Sequence, residues 1–467
     1  MDGRIGQVAL PPILDYIDGE WATPTVDLGF DLEDPATGGP TVRAVGSSDA
    51  RVERSLEVAA AAGGPVDPDV LDAIADVLEP RLGAVAALEA VTTGVPLRQA
   101  ASLGVIVAGA FRLAAQQVRE GILREDRDGV EVYRLPLGPA LCLVPWNAPA
   151  PMAAHKVANA LAAGCPAILK SSELAPFSSV VLAKVVAAHV PPGMFQLVHG
   201  GARTGATLVA DPRVKAVSFT GGVPGGKAVA TASAGLLRPV QLELGGHNPL
   251  VVLPDADTDA AARMAVELLT TLNGQWCRAL GRLILPEARA AEIVAATAER
   301  LDELTIGSPL DPATDLGPQI HSRHIETLTK AIAGMPARSF GTLPAAGNYF
   351  PPTLVEQDLP DEVFGPVAAV VTYDRNTDPA DVANAVPYGL EGYVCGSDLD
   401  QALAVARRIR AGEVKVNGST IMSLHLMTPR PAWGLSGLGE EGTTETLRFF
   451  TGARVVGVEG RFALHTS

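Results

Sequence analysis

The sequence predicts an α/β fold built on parallel sheet, and three observations carry the prediction. Short apolar runs alternate with Ala-rich helical patterns from residue 141 onward, as successive βαβ units require. Nearly half of the 467 residues are hydrophobic (47%) while only 4% are aromatic, a mix rich in Ala, Val, Gly and Pro that suits a large α/β core. A glycine-rich turn, Gly221-Gly222-Val223-Pro224-Gly225-Gly226, follows one apolar run and opens a helical pattern over 227–234. Pro224 is well placed there for a first helical turn.

The elements follow in order. Residues 52–117 repeat apolar positions at helical spacing, most clearly over 52–62 and 71–88. Pro80 interrupts the second piece, which predicts two helices or one kinked helix. Residues 123–137 are charged and alternating (Gly129-Val130-Glu131-Val132-Tyr133-Arg134) and predict an exposed hairpin. Buried strands are expected at 141–144, 167–169, 196–198 and 214–219. A second α/β stretch after Gly246 places strands at 250–253, 283–285, 367–372 and 413–417. Residues 453–464 predict a last exposed strand. Two exposed strand-like segments leave open edges, which oligomerisation commonly covers. There is no internal repeat and no low-complexity tract.

Acidic residues outnumber basic ones, 52 to 36, for a net charge of -16. That balance argues against a nucleic-acid or anionic-membrane surface. No long apolar run follows Met1-Asp2-Gly3-Arg4, and none of the roughly 18–20 residues a membrane span needs is expected, so neither a secretory signal nor a membrane partner is predicted. Cys142, Cys165, Cys277 and Cys395 form no Cys-x-x-Cys pair, which disfavours zinc and disulfides and points to the cytoplasm. Cys142, Cys165 and Cys395 have apolar neighbours and read as small core residues. His321 and His324 stand at i, i+3 with no third ligand suggested, so no metal is expected.

Cys277 is approached by Asn273-Gly274-Gln275-Trp276 and followed by Arg278-Ala279. This polar, turn-prone approach has no packing reason to be buried, and a cysteine is the best nucleophile a protein has near neutral pH. Glu243 interrupts the apolar run Gln241-Leu242-Glu243-Leu244-Gly245-Gly246. A charge there is costly unless it serves a purpose, and a carboxylate can act as general base. Asn147 lies in Pro145-Trp146-Asn147-Ala148-Pro149. Lys170-Ser171-Ser172-Glu173 follows the strand at 167–169 directly, at the carboxyl end where α/β sheets bind ligands. Phe219-Thr220-Gly221-Gly222 and Glu362-Val363-Phe364-Gly365-Pro366-Val367 complete the set.

In this order the motifs resemble the aldehyde dehydrogenase superfamily over nearly the whole chain. The resemblance implies a Rossmann-like cofactor domain (1–121 and 138–245), an α/β catalytic domain (246–447) and a small β bridging and oligomerisation element (122–137 and 448–467). In that picture the hairpin and last strand pair across subunits of a homodimer or homotetramer. It implies that Cys277 attacks an aldehyde, that the Asn147 amide and the Cys277 N–H hold the oxyanion, and that Glu243 activates water to hydrolyse a thioester. It implies NAD, held by Pro145, Trp146, Lys170, Glu173, Phe219, Gly221, Gly222, Gly226, Leu244, Glu362 and Phe364. Glu173 would repel a 2′-phosphate, with NADP remaining possible. Ala148, His155, Trp276 and Arg278 are the expected substrate residues.

Three features depart from the family pattern. Gly222 replaces the usual Ser, His247 replaces the usual Lys, and the glycine-rich stretch at 431–442 is shortened. Two alternatives stay open: an acylating, coenzyme A-dependent semialdehyde dehydrogenase, which Glu243 argues against, and a catalytically weak member that serves as a binding protein.

Overall fold

A strand covered by helices on both faces must be apolar throughout, and this chain supplies such strands in two groups. The computed structural model describes residues 3–459, and among these it contains two large sheets. The first orders its strands as Gly437–Leu438, Val240–Glu243, Ala216–Thr220, Ala140–Leu143, Ala167–Lys170, Phe195–Val198, Asp15–Ile17 and Glu20–Ala22. The five from Val240–Glu243 to Phe195–Val198 run parallel, and the outer ones pair antiparallel. Chain order reverses between Ala140–Leu143 and Ala216–Thr220, which opens a crevice at their carboxyl ends. All four predicted strands of this sheet are present, within two residues of the expected bounds.

The second sheet orders Ala337–Ser339, Thr353–Val355, Val367–Tyr373, Leu280–Pro286, Asn248–Val252, Glu391–Cys395 and Glu413–Val416. It is parallel except where Ala337–Ser339 pairs with Thr353–Val355. The expected division at 245/246 falls in the link between the two sheets. Gly437–Leu438 nevertheless crosses it, pairing with Leu242 and Glu243 of the first sheet from within the segment assigned to the catalytic domain.

The early helices are Asp49–Ala61, Pro68–Leu78, Leu82–Thr93 and Leu97–Arg119. Pro80 lies in a single 3₁₀ turn, Glu79–Arg81, that joins two of them, as its missing N–H dictates. Leu97–Arg119 departs from one expectation, since by length and composition it is apolar enough to cross a membrane. Its Val107, Phe111 and Ala114 are instead buried in the core beside Ile74, Leu78 and Leu161.

The hairpin Arg124–Arg127 with Val130–Pro136 is as predicted. Thr451–Val456 pairs antiparallel with Val130–Pro136 of the same chain. The hairpin and last strand therefore pair with one another in cis, and Arg124–Arg127 is left as the edge of their three-stranded sheet. Residues 460–464 of the predicted strand lie outside the described residues.

Candidate active site

The site forms where the crevice of the first sheet meets the second. Chain leaving Ala140–Leu143 turns through Pro145, Trp146 and Asn147 into the helix Pro149–Ala162, whose first turn takes Pro149 without losing a hydrogen bond. The turn is held from below by Glu89, whose Oε1 accepts from the Ala150 N–H (2.6 Å) and the Ser178 hydroxyl (3.0 Å). Burial raises Glu89 to about 7. Asn147 Nδ2 donates to the Gln275 carbonyl at 2.8 Å. An amide nitrogen carries two hydrogens, so one fixes the side chain against the nucleophile loop and one remains to donate.

That loop takes a left-handed path through Leu272, Asn273 and Gly274, with φ of 50°, 61° and 70°. Asn273 and Gln275 are fully buried, contrary to the expectation of an exposed approach. Their amides replace secondary structure as partners for buried backbone. Asn273 Nδ2 donates to the Gly94 and Pro318 carbonyls, each at 2.9 Å, and its Oδ1 accepts from the Gly317 N–H at 2.7 Å. Gln275 Oε1 accepts from the Ile320 N–H at 3.0 Å. The backbones meet closely: a methyl on Gly94 would lie 2.0 Å from Pro318 O, and one on Gly317 would lie 2.0 Å from Gly94 O.

Of the four cysteines Cys277 alone is not fully buried. Burial raises the Cys142 thiol to about 12 and the Cys395 thiol to about 11, and it raises Cys165 as well. The Cys277 thiol is raised too, first by burial and then by the negative charge of neighbouring Glu243. Glu243, at the end of Val240–Glu243, is 7% exposed. Burial and then the charge of Glu441 hold it above the ordinary carboxylate range. The structure thus joins a thiol to a reluctant acid, a pair suited to passing a proton between them.

Two cavities share this pair. A cleft of about 530 Å³ is lined by Pro145, Trp146, Asn147, Lys170, Glu173, Phe219, Gly221, Gly222, Leu244, Glu362 and Phe364, and it reaches Glu243 and Cys277. Gly226 is the exception among the expected cofactor residues. A methyl there would lie 2.5 Å from Leu244, so it makes room for packing, and Gly225 lines the cleft instead. Lys170 Nζ lies 3.2 Å from Glu173 Oε2. Glu362 Oε1 accepts from the Gly246 N–H at 3.0 Å, and burial raises its carboxyl to about 8. Gly222 caps the helix Val223–Ala234 with Pro224 in its first turn, as predicted. Trp146 meets Phe364 and His324 edge-on, each at 5.4 Å between ring centres.

A helix N-terminus, a Lys–Glu pair and an aromatic corner along one crevice fit an extended dinucleotide such as NAD. His324, which the sequence offered only as a weak metal ligand, lines this cleft and lies 2.7 Å from Phe364 O through Nε2.

On the other side of Cys277 a smaller cavity, about 100 Å³, is lined by Leu103, Ile106, Ala148, Pro151, Met152, Leu272, Trp276 and Ile421, with Arg278, Arg430 and Glu441 among its polar residues. Ala148, Trp276 and Arg278 stand where expected. His155 does not line it. That ring is buried beside the Thr446 hydroxyl, 3.0 Å from Nε2, and burial lowers it to about 3. Arg278 lines the wall but is not idle, because its guanidinium pairs with the buried carboxylate of Glu391. His247 is buried and held neutral, with burial lowering it to about 4, so no cation stands at that position.

Sequence reasoning missed the buried pair of Lys156 and Glu441. Lys156 Nζ lies 2.9 Å from Glu441 Oε1 and 2.7 Å from Ser218 Oγ. Burial opposes ionisation of Glu441, but Lys156, then His155 and Arg430, outweigh it and lower the group to about 2. The available signal was a lysine inside the apolar helix Pro149–Ala162, which requires a buried partner.

Residues 21–456 match the aldehyde dehydrogenase family. The 3-succinoylsemialdehyde-pyridine dehydrogenase of a Pseudomonas species is 32% identical over 95% of this chain and 98% of its own. The peroxisomal aminoaldehyde dehydrogenase 2 of Pisum sativum is 34% identical over 91% of this chain and 92% of its own. An aldehyde dehydrogenase C mutant of Pseudomonas syringae, solved with NAD+ and octanal, superposes with a TM-score of 0.90 at 29% identity, covering 97% of this chain and 99% of that one. With the fold, the two-cavity site and these matches together, the chain belongs to the aldehyde dehydrogenase family, and its activity is the NAD-dependent oxidation of aldehydes.

Proposed function

We propose that Cys277, Glu243 and Asn147 carry this oxidation, and that it ends in a free carboxylic acid. The observation that supports the reading is the placement of a thiol and a buried carboxyl together in the common wall of the two cavities. Glu243 takes the thiol proton as Cys277 attacks the aldehyde carbon, and the thiohemiacetal oxygen is met by the free Asn147 N–H and the Cys277 backbone N–H. Such donors each lower a barrier by about 3 kcal/mol. Bound in the larger cleft, NAD supplies the hydride acceptor. Glu243 first releases the thiol's proton to solvent and then takes a proton from water, which attacks the thioester carbon. The tetrahedral intermediate collapses, the acid departs, and the Cys277 sulfur leaves as a thiolate that regains its proton from Glu243. A base buried beside the nucleophile favours hydrolysis over transfer to coenzyme A.

Cys277→Ala should abolish NADH production while NAD binding persists. Retention of a tenth of the turnover, or acylation of Cys142, Cys165 or Cys395, would overturn the assignment. The reading extends to a homodimer or homotetramer, supported by the fully exposed edge strand Arg124–Arg127. It extends also to the cytoplasm, supported by four unpaired cysteines.

A further inference from the structure

We propose that Arg430 selects aldehydes that carry a carboxylate at the end remote from the carbonyl. The inference rests on the catalytic reading above and deepens it, since it concerns the smaller cavity on the far side of Cys277 from the cofactor cleft.

The walls of that cavity are apolar along most of their length, through Leu103, Ile106, Met152, Leu272, Trp276 and Ile421. Its charged residues are Glu243, Arg278, Arg430 and Glu441. Three of these are already matched. Arg278 is paired with Glu391. Glu441 Oε1 is taken by Lys156. Glu243 lies beside Cys277 and resists ionisation through burial.

Arg430 differs. It sits half-buried on a short strand, Arg430–Pro431, opposite Glu441 in antiparallel register. Among the described residues its guanidinium makes no ion pair and no side-chain hydrogen bond. It still lies near enough for its charge to help lower Glu441. The wall therefore holds one unbalanced positive charge, on the group whose planar fork best matches a carboxylate. An apolar passage with a thiol at one part of its wall and an unpaired guanidinium at another suits a short chain with an aldehyde at one end and an anion at the other.

Exposed arginines are commonly unpaired and solvated. Arg430 differs in being half-buried against a cavity, where a matching anion displaces little water and the surrounding dielectric strengthens the contact. The cavity volume of about 100 Å³ limits the body of the ligand to a short chain or a single ring.

The test compares matched pairs under NAD: succinic semialdehyde with butanal, adipic semialdehyde with hexanal, and 4-carboxybenzaldehyde with 4-methylbenzaldehyde. In at least one pair the protein should favour the carboxylate member in kcat/KM. Arg430→Leu should lower that carboxylate-to-neutral ratio by about 10- to 100-fold, chiefly through KM. Arg430→Lys, which keeps the charge and loses the fork, should fall between. Thermal midpoint and NAD affinity of each variant show that the fold is kept.

A preference for the neutral member in every pair, or an equal loss on both members in Arg430→Leu, would overturn the inference while leaving the catalytic reading intact. No turnover with any of the six, and no acylation of Cys277, would sink the catalytic reading and this inference with it.

Discussion

Glu243→Gln replaces a carboxylate by a neutral amide of nearly the same shape, and the structure assigns a different consequence to each half of the reaction. Burial raises the Cys277 thiol most and the charge of Glu243 next, with Glu362 adding a smaller effect. The glutamine variant loses the Glu243 charge and keeps the others, so its thiol ionises more readily in alkali even though no carboxyl is there to receive the proton. Acyl-enzyme formation should then survive in alkali and slow as pH falls. Water activation has no such rescue, and removal of a general base typically costs about 10²–10⁴ in rate. Stopped-flow absorbance should show a burst of NADH approaching one equivalent per subunit at alkaline pH, followed by turnover slowed by that factor. In the wild-type enzyme the base must be ionised, and its acidity is weakened by burial and by Glu441. Wild-type turnover should therefore rise through a pH above the ordinary carboxylate range, and the variant should lack that limb. A variant slow from its first turnover even at alkaline pH would refute this division of labour. Full recovery on adding coenzyme A would instead favour acyl transfer as the natural second half-reaction.

Two further outcomes follow from other carboxyls. Glu173 stands beside Lys170 in the cofactor cleft, and Glu173→Ser should raise the efficiency with NADP relative to NAD by an amount equivalent to about 1–3 kcal/mol. An unchanged ratio in steady-state kinetics would count against it. Glu89 is raised from an ordinary 4.5 to about 7 by burial, and both donors reach its Oε1, which leaves Oε2 to hold the proton. The folded state thus binds more protons than the unfolded one between these values, and stability conferred below pH 4.5 is lost as pH rises through 7. The change amounts to roughly 3 kcal/mol. Glu89→Gln keeps the Oε1 acceptor and should flatten this part of the pH dependence in urea unfolding. A slope matching that of the wild type would exclude Glu89 as its source.

Buried parallel strands write themselves into sequence as apolar runs, so residues 141–144 and 167–169 could be placed closely. The hairpins Asp15–Ile17 with Glu20–Ala22 and Val26–Glu33 with Pro40–Gly46 were passed over, because short half-exposed strands mix polar and apolar residues without a strong period. Contiguous motifs, through the family resemblance they carry, placed Cys277, Glu243 and Asn147 in one site; Glu243 ends a strand, whereas Asn147 and Cys277 sit in loops. Partners remote in the chain were invisible. Arg278 pairs with Glu391, 113 residues on, and Lys156 finds Glu441 across 285. His155 was misjudged because position on a helix does not say which face meets the cavity. Asn273 and Gln275 were misjudged because polarity was equated with exposure, whereas a left-handed loop in the interior needs amides to satisfy its carbonyls.

That interior loop separates two kinds of heritable change. The path of the chain into Cys277 is set by main chain against main chain at Gly94, Gly317 and Pro318, with Asn273 as the clamp. The walls facing the aldehyde are side chains on other segments, among them Leu103, Ile106, Met152, Ile421 and Arg430. Almost any side chain at those glycines would collide with main chain and displace the sulfur, whereas the wall residues meet the cavity through side chains alone. A lineage built this way can diversify its diet while its chemistry stays fixed.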